Sequence, residues 1–338
     1  MQLVKKSIDC IYGFKFDEAE KMINEIKSQY PEHPVIILLN GLTDYWKNFP
    51  MVPGSVAGET FKKDMFLCIE ISEKIISHGN EAEYILSNLS GRGLLLLYFT
   101  DNDLYRDVIP LASGTYKYLK QSFNHTFECF DLLYFAGVYN YYRDAYPRIY
   151  PIYRSLALLF PPGSSKVGIW QLTKCSEEGY ILSNESNYLL FWLMMNYEND
   201  SNQSLKYIKK LSEQFPENPL YRIMYIKNLL LNKSYNEAEE IIKNYKPEVP
   251  NPYYSACLYV FNGIIQEKKY YDHTKARNYY LTGLNKLEPF GAYANEFNAY
   301  AYFGLSRVYN ISDEKYKKKE YHKKAMDLVD FKKINFDN

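Results

Sequence analysis

The feature that most constrains this chain is an internal repeat. Residues 17–34 read DEAEKMINEIKSQYPEHP and residues 202–219 read NQSLKYIKKLSEQFPENP, while a third copy, YNEAEEIIKNYKPEVPNP, occupies residues 235–252. The closing prolines Pro216 and Pro250 lie 34 residues apart. A fixed period of this length is typical of a helical repeat array, in which each unit buries its apolar face against its neighbours.

Each copy places a small residue, a large apolar residue four positions later, and a closing proline in the same order. In the third copy these residues are Ala238, Ile242 and Pro250. A small side chain lets two helix axes approach, the bulky one fills the groove on the same face, and proline stops the helix. The equivalent small residues elsewhere are Ala19, Ser204 and Ala276.

In these positions the chain resembles the tetratricopeptide repeat (TPR) family, whose unit is a hairpin of two helices. The resemblance implies an all-α fold, an α-solenoid with a right-handed superhelix of about eight TPR-like hairpins. It also implies a concave face formed by the first helices of the hairpins, and a role in protein–protein interaction.

Apolar periodicity and helix breakers predict sixteen helices and no useful strand pattern. We expect one solenoid over residues 1–338, with N-terminal hairpins over 1–127, an irregular aromatic-rich middle segment over 128–182, and C-terminal TPR repeats with a Lys-rich capping helix over 183–338. A loop over 48–54 interrupts the second hairpin, and the middle segment is expected to hold helices over 126–146 and 164–178. The residues expected at helix N-caps are Asp17, Asn202, Asn236 and Asp313.

The middle segment carries the candidate binding residues. Three of the eight arginines of the chain lie between residues 143 and 154, among many tyrosines. Arginine presents a planar fork suited to carboxylates and stacks on aromatic rings. On one helix, Tyr139, Tyr142, Arg143 and Tyr146 share a face, and we expect them, with Arg154, to contact a partner. The alternative is that this stretch is aromatic core and that its prolines route a connection between hairpins.

The middle segment is also similar to the eukaryotic TPR family linked to inclusion-body clearance at mitochondria and lipid droplets. That likeness runs through Phe135, Gly137, Asn140, Pro147, Gly163, Gly168 and Leu172. The family has no established catalytic residues, so the likeness implies no catalytic site here.

The distribution of reactive side chains indicates that the chain is not an enzyme. Five cysteines without a C-x-x-C pair and five dispersed histidines give neither a zinc site nor a disulfide framework, and no nucleophile has a histidine partner that sequence can nominate. We therefore expect no metal site and no cofactor.

Charge and hydropathy restrict the partners. Lys plus Arg and Asp plus Glu both number 40, and this balance argues against a nucleic-acid partner. No apolar run reaches the roughly 18 residues of a membrane span. On the sequence as it stands we expect a cytoplasmic protein, or a bacterial envelope or periplasmic one if a signal peptide was removed. The oligomeric state stays open.

The leading hypothesis is a non-enzymatic scaffold or adaptor that binds a peptide or protein on its concave face. A second hypothesis is a small-molecule or lipid-binding solenoid with an apolar pocket near residues 128–182. A third is a cell-envelope assembly adaptor. An open groove lined by Tyr and Arg favours the first, and a closed apolar cavity favours the second.

Overall fold

The structure is a computed structural model that describes residues 2–76, 82–151, 154–245, 250–331 and 334–337. Across these ranges the chain is all-α and without strands, and consecutive helices pack as hairpins in the manner of an α-solenoid. The predicted fold class is therefore confirmed. The chain divides into two compact units, Met1–Leu193 and Met194–Asn338.

The first unit is built from paired helices, with α1 against α2, α3 against α4, α5 against α6, and α7 against α9. A loop separates α3 from α4, as the sequence predicts. The helix bounds are α1 Gln2–Tyr12, α2 Phe16–Gln29, α3 Val35–Lys47, α4 Val56–Ile76, α5 Ala82–Asp101, α6 Tyr105–Ser122, α7 Leu132–Ile149, the short α8 Arg154–Ala157, α9 Ser165–Glu178 and α10 Ser183–Asn196, whose last residues belong to the second unit.

The second unit repeats one packing pattern. Its helices are α11 Ser201–Gln214, α12 Pro219–Leu231, α13 Tyr235–Asn244, α14 Pro252–Lys268, α15 His273–Leu287, α16 Asn295–Ile311 and α17 Lys315–Leu328. The first helices of successive hairpins contact one another, α12 with α14 and α14 with α16, while each second helix also packs against the next first helix. The Lys-rich α17 packs against α16, with Ala325 fully buried between them.

The small residues of the repeat lie where the sequence predicts close packing. Ala19, Ser204, Ala238 and Ala276 are all 0% exposed. A fully buried ring, that of Tyr280 on α15, fits between two glycines of neighbouring helices. A Cβ added at Gly263 would lie 2.5 Å from this ring, and one at Gly304 would lie 2.2 Å from it. Glycine at both positions is what admits the ring.

One turn geometry recurs in the hairpins. A residue with positive φ stands two positions before the second helix at Phe14, Asp103, Asn199, Lys233, Tyr271 and Asp313. The amide after it bonds a carbonyl of the preceding helix, as from Ser234 to Leu229 at 2.9 Å and from Glu314 to Tyr309 at 3.0 Å. This closure satisfies the free carbonyls at the helix end by a left-handed residue. The same left-handed turn therefore recurs in hairpins whose turn residues differ in type.

The same turn explains why the predicted N-caps are wrong. Helices α2, α11 and α13 begin before Asp17, Asn202 and Asn236, so these three residues lie in first turns. Asp313 is itself the left-handed turn residue, with φ +58°. In α11 the capping side chain is that of Asp200, which accepts a bond from the Gln203 amide at 2.9 Å.

Candidate functional site

The candidate residues of the middle segment lie together on α7, as predicted. Tyr139, Tyr142, Arg143 and Tyr146 are all half-buried. The rings of Tyr142 and Tyr146 lie 6.4 Å apart, centre to centre, in an edge-to-face arrangement. The face is therefore continuous, and it is neither fully exposed nor core.

These side chains fasten the loop that follows α8 onto α7. The Tyr139 hydroxyl donates to the carbonyl of Pro161 at 2.7 Å. Arg143 donates from Nε and Nη2 to the carbonyl of Phe160, at 3.3 and 3.0 Å. A Cβ at Gly163 would lie 2.6 Å from the Asn140 carbonyl oxygen, so the loop approaches the helix closely. The fork of Arg143 thus binds backbone of its own chain.

Arg154 is exposed and donates from Nε to the carbonyl of Pro147 at 3.3 Å. Beside it, Leu158 and Leu159 are 83% and 75% exposed. The contact role of these residues toward a partner stays a prediction.

A second group of functional character lies in the second unit, on helices α14 and α16. Arg307 donates from Nε and Nη2 to the two carboxylate oxygens of Glu267, at 2.6 and 3.0 Å. The Tyr280 hydroxyl donates to the same carboxylate at 2.7 Å, and Lys268 Nζ lies 3.4 Å from it. A bidentate pair of this kind fixes the arginine in one orientation.

The environment of Glu267 stabilises its charged form. The side chain is 5% exposed, and burial by itself would raise the pKa of this carboxyl. The hydrogen bonds and charge of Arg307 outweigh burial, so the pKa of Glu267 lies below its ordinary value. Glu267 and Arg307 therefore remain an ion pair at neutral pH.

A second ion pair connects α12 directly to α16. Lys227 is 0% exposed and pairs with Glu296, which also accepts a bond from the Tyr300 hydroxyl at 2.7 Å. The Lys227 ammonium lies 5.5 Å from the centre of the Tyr300 ring. We call the surface of α12, α14 and α16 that carries Lys227, Glu267, Tyr300 and Arg307 the A-helix face.

A segment of the chain itself lies on the A-helix face. After α17, the described residues 329–331 and 334–337, called here the return segment, include residues that contact α16. The ring of Phe336 meets that of Tyr300 at 5.1 Å and 90°. Arg307 Nη1 donates to the Asn335 carbonyl at 2.7 Å and to Asp337 Oδ1 at 3.0 Å. Arg307 therefore joins the buried pair to the return segment.

Sequence reasoning missed this site because its members are 40 residues apart, from Glu267 to Arg307, and on non-consecutive helices. One signal was available. Lys227 stands in α12 among mostly apolar residues, from Ile223 to Leu231, and a charge in such a position requires a partner.

Two open grooves accompany these features. One, of about 380 Å³, lies between α14 and α15 beside Ser255, Tyr259 and Tyr279, and the other, of about 440 Å³, lies on α17 beside Lys319 and His322. In the described ranges no helix is long and apolar enough to cross a membrane. Nor do the described side chains include a group of three or more His, Cys, Asp or Glu placed to hold a metal ion.

Comparison with known proteins gives a distant likeness. No protein-family model matches the sequence, and no curated protein matches it. A solved structure of the human IFIT1 dimer with PPP-AAAA is similar to the chain at 12% sequence identity and a TM-score of 0.44, over 94% of this chain and 69% of that one. A likeness of this strength says nothing about what this chain binds.

Proposed function

We propose that this protein is a non-enzymatic interaction scaffold that binds a peptide of a protein partner on the A-helix face of its second unit. The observation that carries the proposal is that this face already holds a non-helical segment, residues 334–337, through the packing of Phe336 on Tyr300 and the bonds of Arg307 to Asn335 and Asp337. A surface that binds one peptide backbone has the donors and ring faces needed to bind another.

The fixed orientation of Arg307 favours this surface over the middle segment. Arg307 is prepositioned by Glu267 and keeps Nη1 directed at the return segment. Arg143, by contrast, uses Nε and Nη2 on the Phe160 carbonyl. A prepositioned arginine loses less side-chain entropy when it binds, which favours recognition by Arg307. The face of Tyr139, Tyr142, Arg143 and Tyr146, with Arg154, is the second candidate contact surface.

Each of the other hypotheses requires its own structural feature or partner. A small-molecule or lipid-binding solenoid needs an enclosed apolar pocket near residues 128–182, and the two grooves described above lie in the second unit and are open. An envelope adaptor would use the same peptide-binding face, in another compartment. A nucleic-acid partner is disfavoured by the zero net charge of the chain.

The test is affinity capture from native lysate with four full-length proteins, each checked for folding by thermal melting. They are the wild type, Arg307→Lys, the matched control Arg277→Lys, and Tyr142→Ala/Arg143→Ala. Lysine keeps the charge beside Glu267 but removes the fork, so Arg307→Lys tests bidentate recognition without leaving a buried carboxylate unpaired.

We expect a protein partner that is retained by the wild type, by Arg277→Lys and by Tyr142→Ala/Arg143→Ala, and is lost by Arg307→Lys. Loss with Tyr142→Ala/Arg143→Ala alone would move the site to α7. Capture that disappears after nuclease treatment would replace the protein partner by a nucleic acid.

A further inference from the structure

The return segment is seated by its apolar side chains. Ile334 and Phe336 are each 7% exposed, although both lie outside any helix. The ring of Phe331 lies 5.5 Å from that of Tyr197, and the ring of Phe336 lies edge-on to Tyr300. Two buried apolar side chains, at positions 334 and 336, therefore hold this non-helical segment in place.

Polar contacts fix the register of the segment. Arg307 Nη1 reaches both the Asn335 carbonyl and Asp337 Oδ1. The Asn335 side chain donates to Asp337 Oδ2 at 2.7 Å, and its Oδ1 accepts from the Asp337 amide at 3.0 Å. A shift of the segment by one residue would remove the two Arg307 bonds and withdraw Phe336 from Tyr300. The contact is therefore specific to this sequence.

The backbone conformation of Phe336 also indicates that specific contacts hold the return segment in place. Its φ is +57°, in the left-handed region that aromatic residues rarely adopt. Such a conformation persists where the surrounding contacts determine it. Here those contacts are the ring packing on Tyr300 and the arginine bonds on either side.

Charge complementarity defines what the face accepts. Arg307 and Lys268 both pair with Glu267, and Asp337 supplies a further carboxylate to Arg307. A peptide carboxylate in the place of Asp337 accepts a hydrogen bond from Arg307 Nη1, which Glu267 does not use. A basic residue in the same place would meet two cations.

We propose that the A-helix face recognises short non-helical peptides that carry an apolar residue, an aromatic residue two positions later, and a carboxylate directly after it, as Ile334, Phe336 and Asp337 do. The return segment occupies this place in cis, so that such a peptide binds by displacing it. The inference rests on the proposed function for the existence of a partner, and it adds the partner's chemistry and a built-in competitor.

The return segment should weaken the binding of a free peptide by a measurable factor. A segment joined to its own site by a short linker acts at an effective concentration of about 1 mM. If the free peptide binds the emptied face with a Kd below about 100 μM, the seated segment weakens binding in trans by about tenfold or more. The wild type and a variant with a released segment should therefore differ by at least that factor.

The experiment measures fluorescence polarisation of a fluorescein-labelled peptide with the sequence of residues 329–338. It is titrated with the full-length wild type and with full-length Phe336→Ser/Asp337→Asn, in which ring and charge are lost but the face is intact. A scrambled peptide of the same composition is the matched control. Circular dichroism melting verifies that both proteins are folded.

We expect the variant to bind the peptide at least tenfold more tightly than the wild type, and to bind the scrambled peptide no better than the wild type does. Peptides with Phe336→Ser or with Asp337→Asn should each lose tenfold or more on the variant. Equal binding to both proteins, or equal binding of the scrambled peptide, would overturn the inference. If the variant fails to fold, wild-type titrations with the native and substituted peptides still test the sequence preference.

Failure of this inference and failure of the proposed function are distinguishable. A peptide that does not bind the released variant, while a lysate partner is still lost with Arg307→Lys, contradicts the inference alone. A peptide that binds as expected, while lysate partners are insensitive to Arg307→Lys, contradicts the proposed function alone.

Discussion

Because the Tyr280 ring packs between Gly263 and Gly304, we expect Gly304→Ala to destabilise the protein when the ring is present and not when it is removed. Replacement Gly304→Ala adds a methyl group that would lie 2.2 Å from Tyr280 Cζ, where contacts below 3.0 Å essentially do not occur. The ring has little room to retreat, because on its other side it packs so closely on Gly263 that a Cβ built there would lie 2.5 Å from it. Tyr280 also donates to Glu267, so the same strain reaches the A-helix face.

The expected magnitude follows from two opposing effects. Overpacking of a buried site costs about 1–3 kcal/mol, and this sandwiched ring belongs at the upper end. Alanine in place of glycine within a helix raises the free energy of unfolding by about 0.5–1 kcal/mol. Gly304→Ala should therefore lower the free energy of unfolding by about 2 kcal/mol. In a Tyr280→Leu background the clashing ring atoms are gone, and Gly304→Ala should be neutral or stabilising by up to about 1 kcal/mol.

The assay is urea unfolding followed by far-UV circular dichroism, for the four proteins of this double-mutant cycle. The control is Gly93→Ala on α5, where the added Cβ would meet only Phe135, at 3.9 Å, and where we expect stabilisation of about 0.5–1 kcal/mol. If Gly304→Ala stabilises as much as Gly93→Ala does, or is additive with Tyr280→Leu, the packing account is refuted.

Three further predictions concern other parts of the chain. Lys233 has φ +61°, so Lys233→Gly should raise the free energy of unfolding by about 0.5–1 kcal/mol, whereas Lys209→Gly inside α11 should lower it by about 1 kcal/mol, both measured by urea unfolding. Burial raises the pKa of Glu185 to about 8. The protonated Glu185 carboxyl therefore stabilises the fold fully below the pKa that it has in the unfolded chain, and this stabilisation is lost as the pH rises to 8. Glu185→Gln should reduce the fall of the urea unfolding midpoint between pH 5 and pH 8. Arg143→Ala should speed trypsin cleavage after Arg154 several-fold, since it frees the loop after α8; an unchanged rate would show that the tether is unimportant.

The repeat architecture could be predicted from the sequence because it rests on local regularities. Helical periodicity, small residues at fixed positions and closing prolines each report how a helix meets its immediate neighbours. Most helix boundaries accordingly agree within a few residues. Both ends of α7 differ from the predicted 126–146: the helix begins at Leu132, and it runs through Pro147 to Ile149. Proline near a helix end removes few backbone bonds, so the helix continues.

The candidate site could be predicted only in part, because it depends on contacts between distant elements. The common face of Tyr139, Tyr142 and Arg143 follows from helical spacing alone. The loop carbonyl that Arg143 binds does not, because the course of the loop is set by tertiary packing. The return segment has no periodicity, and its contacts with Tyr300 and Arg307 arise only when the hairpins stack.

We expect the A-helix face to bind peptides and to be occupied by the return segment. The most direct test of this expectation places the photoreactive residue p-benzoylphenylalanine at position 336 of the full chain and maps the crosslinks by mass spectrometry, with and without an excess of the unlabelled 329–338 peptide. The account predicts crosslinks concentrated on α16 around Tyr300, suppressed by the native peptide and unchanged by its scrambled form. Crosslinks spread over the chain, or undiminished by the native peptide, would contradict it.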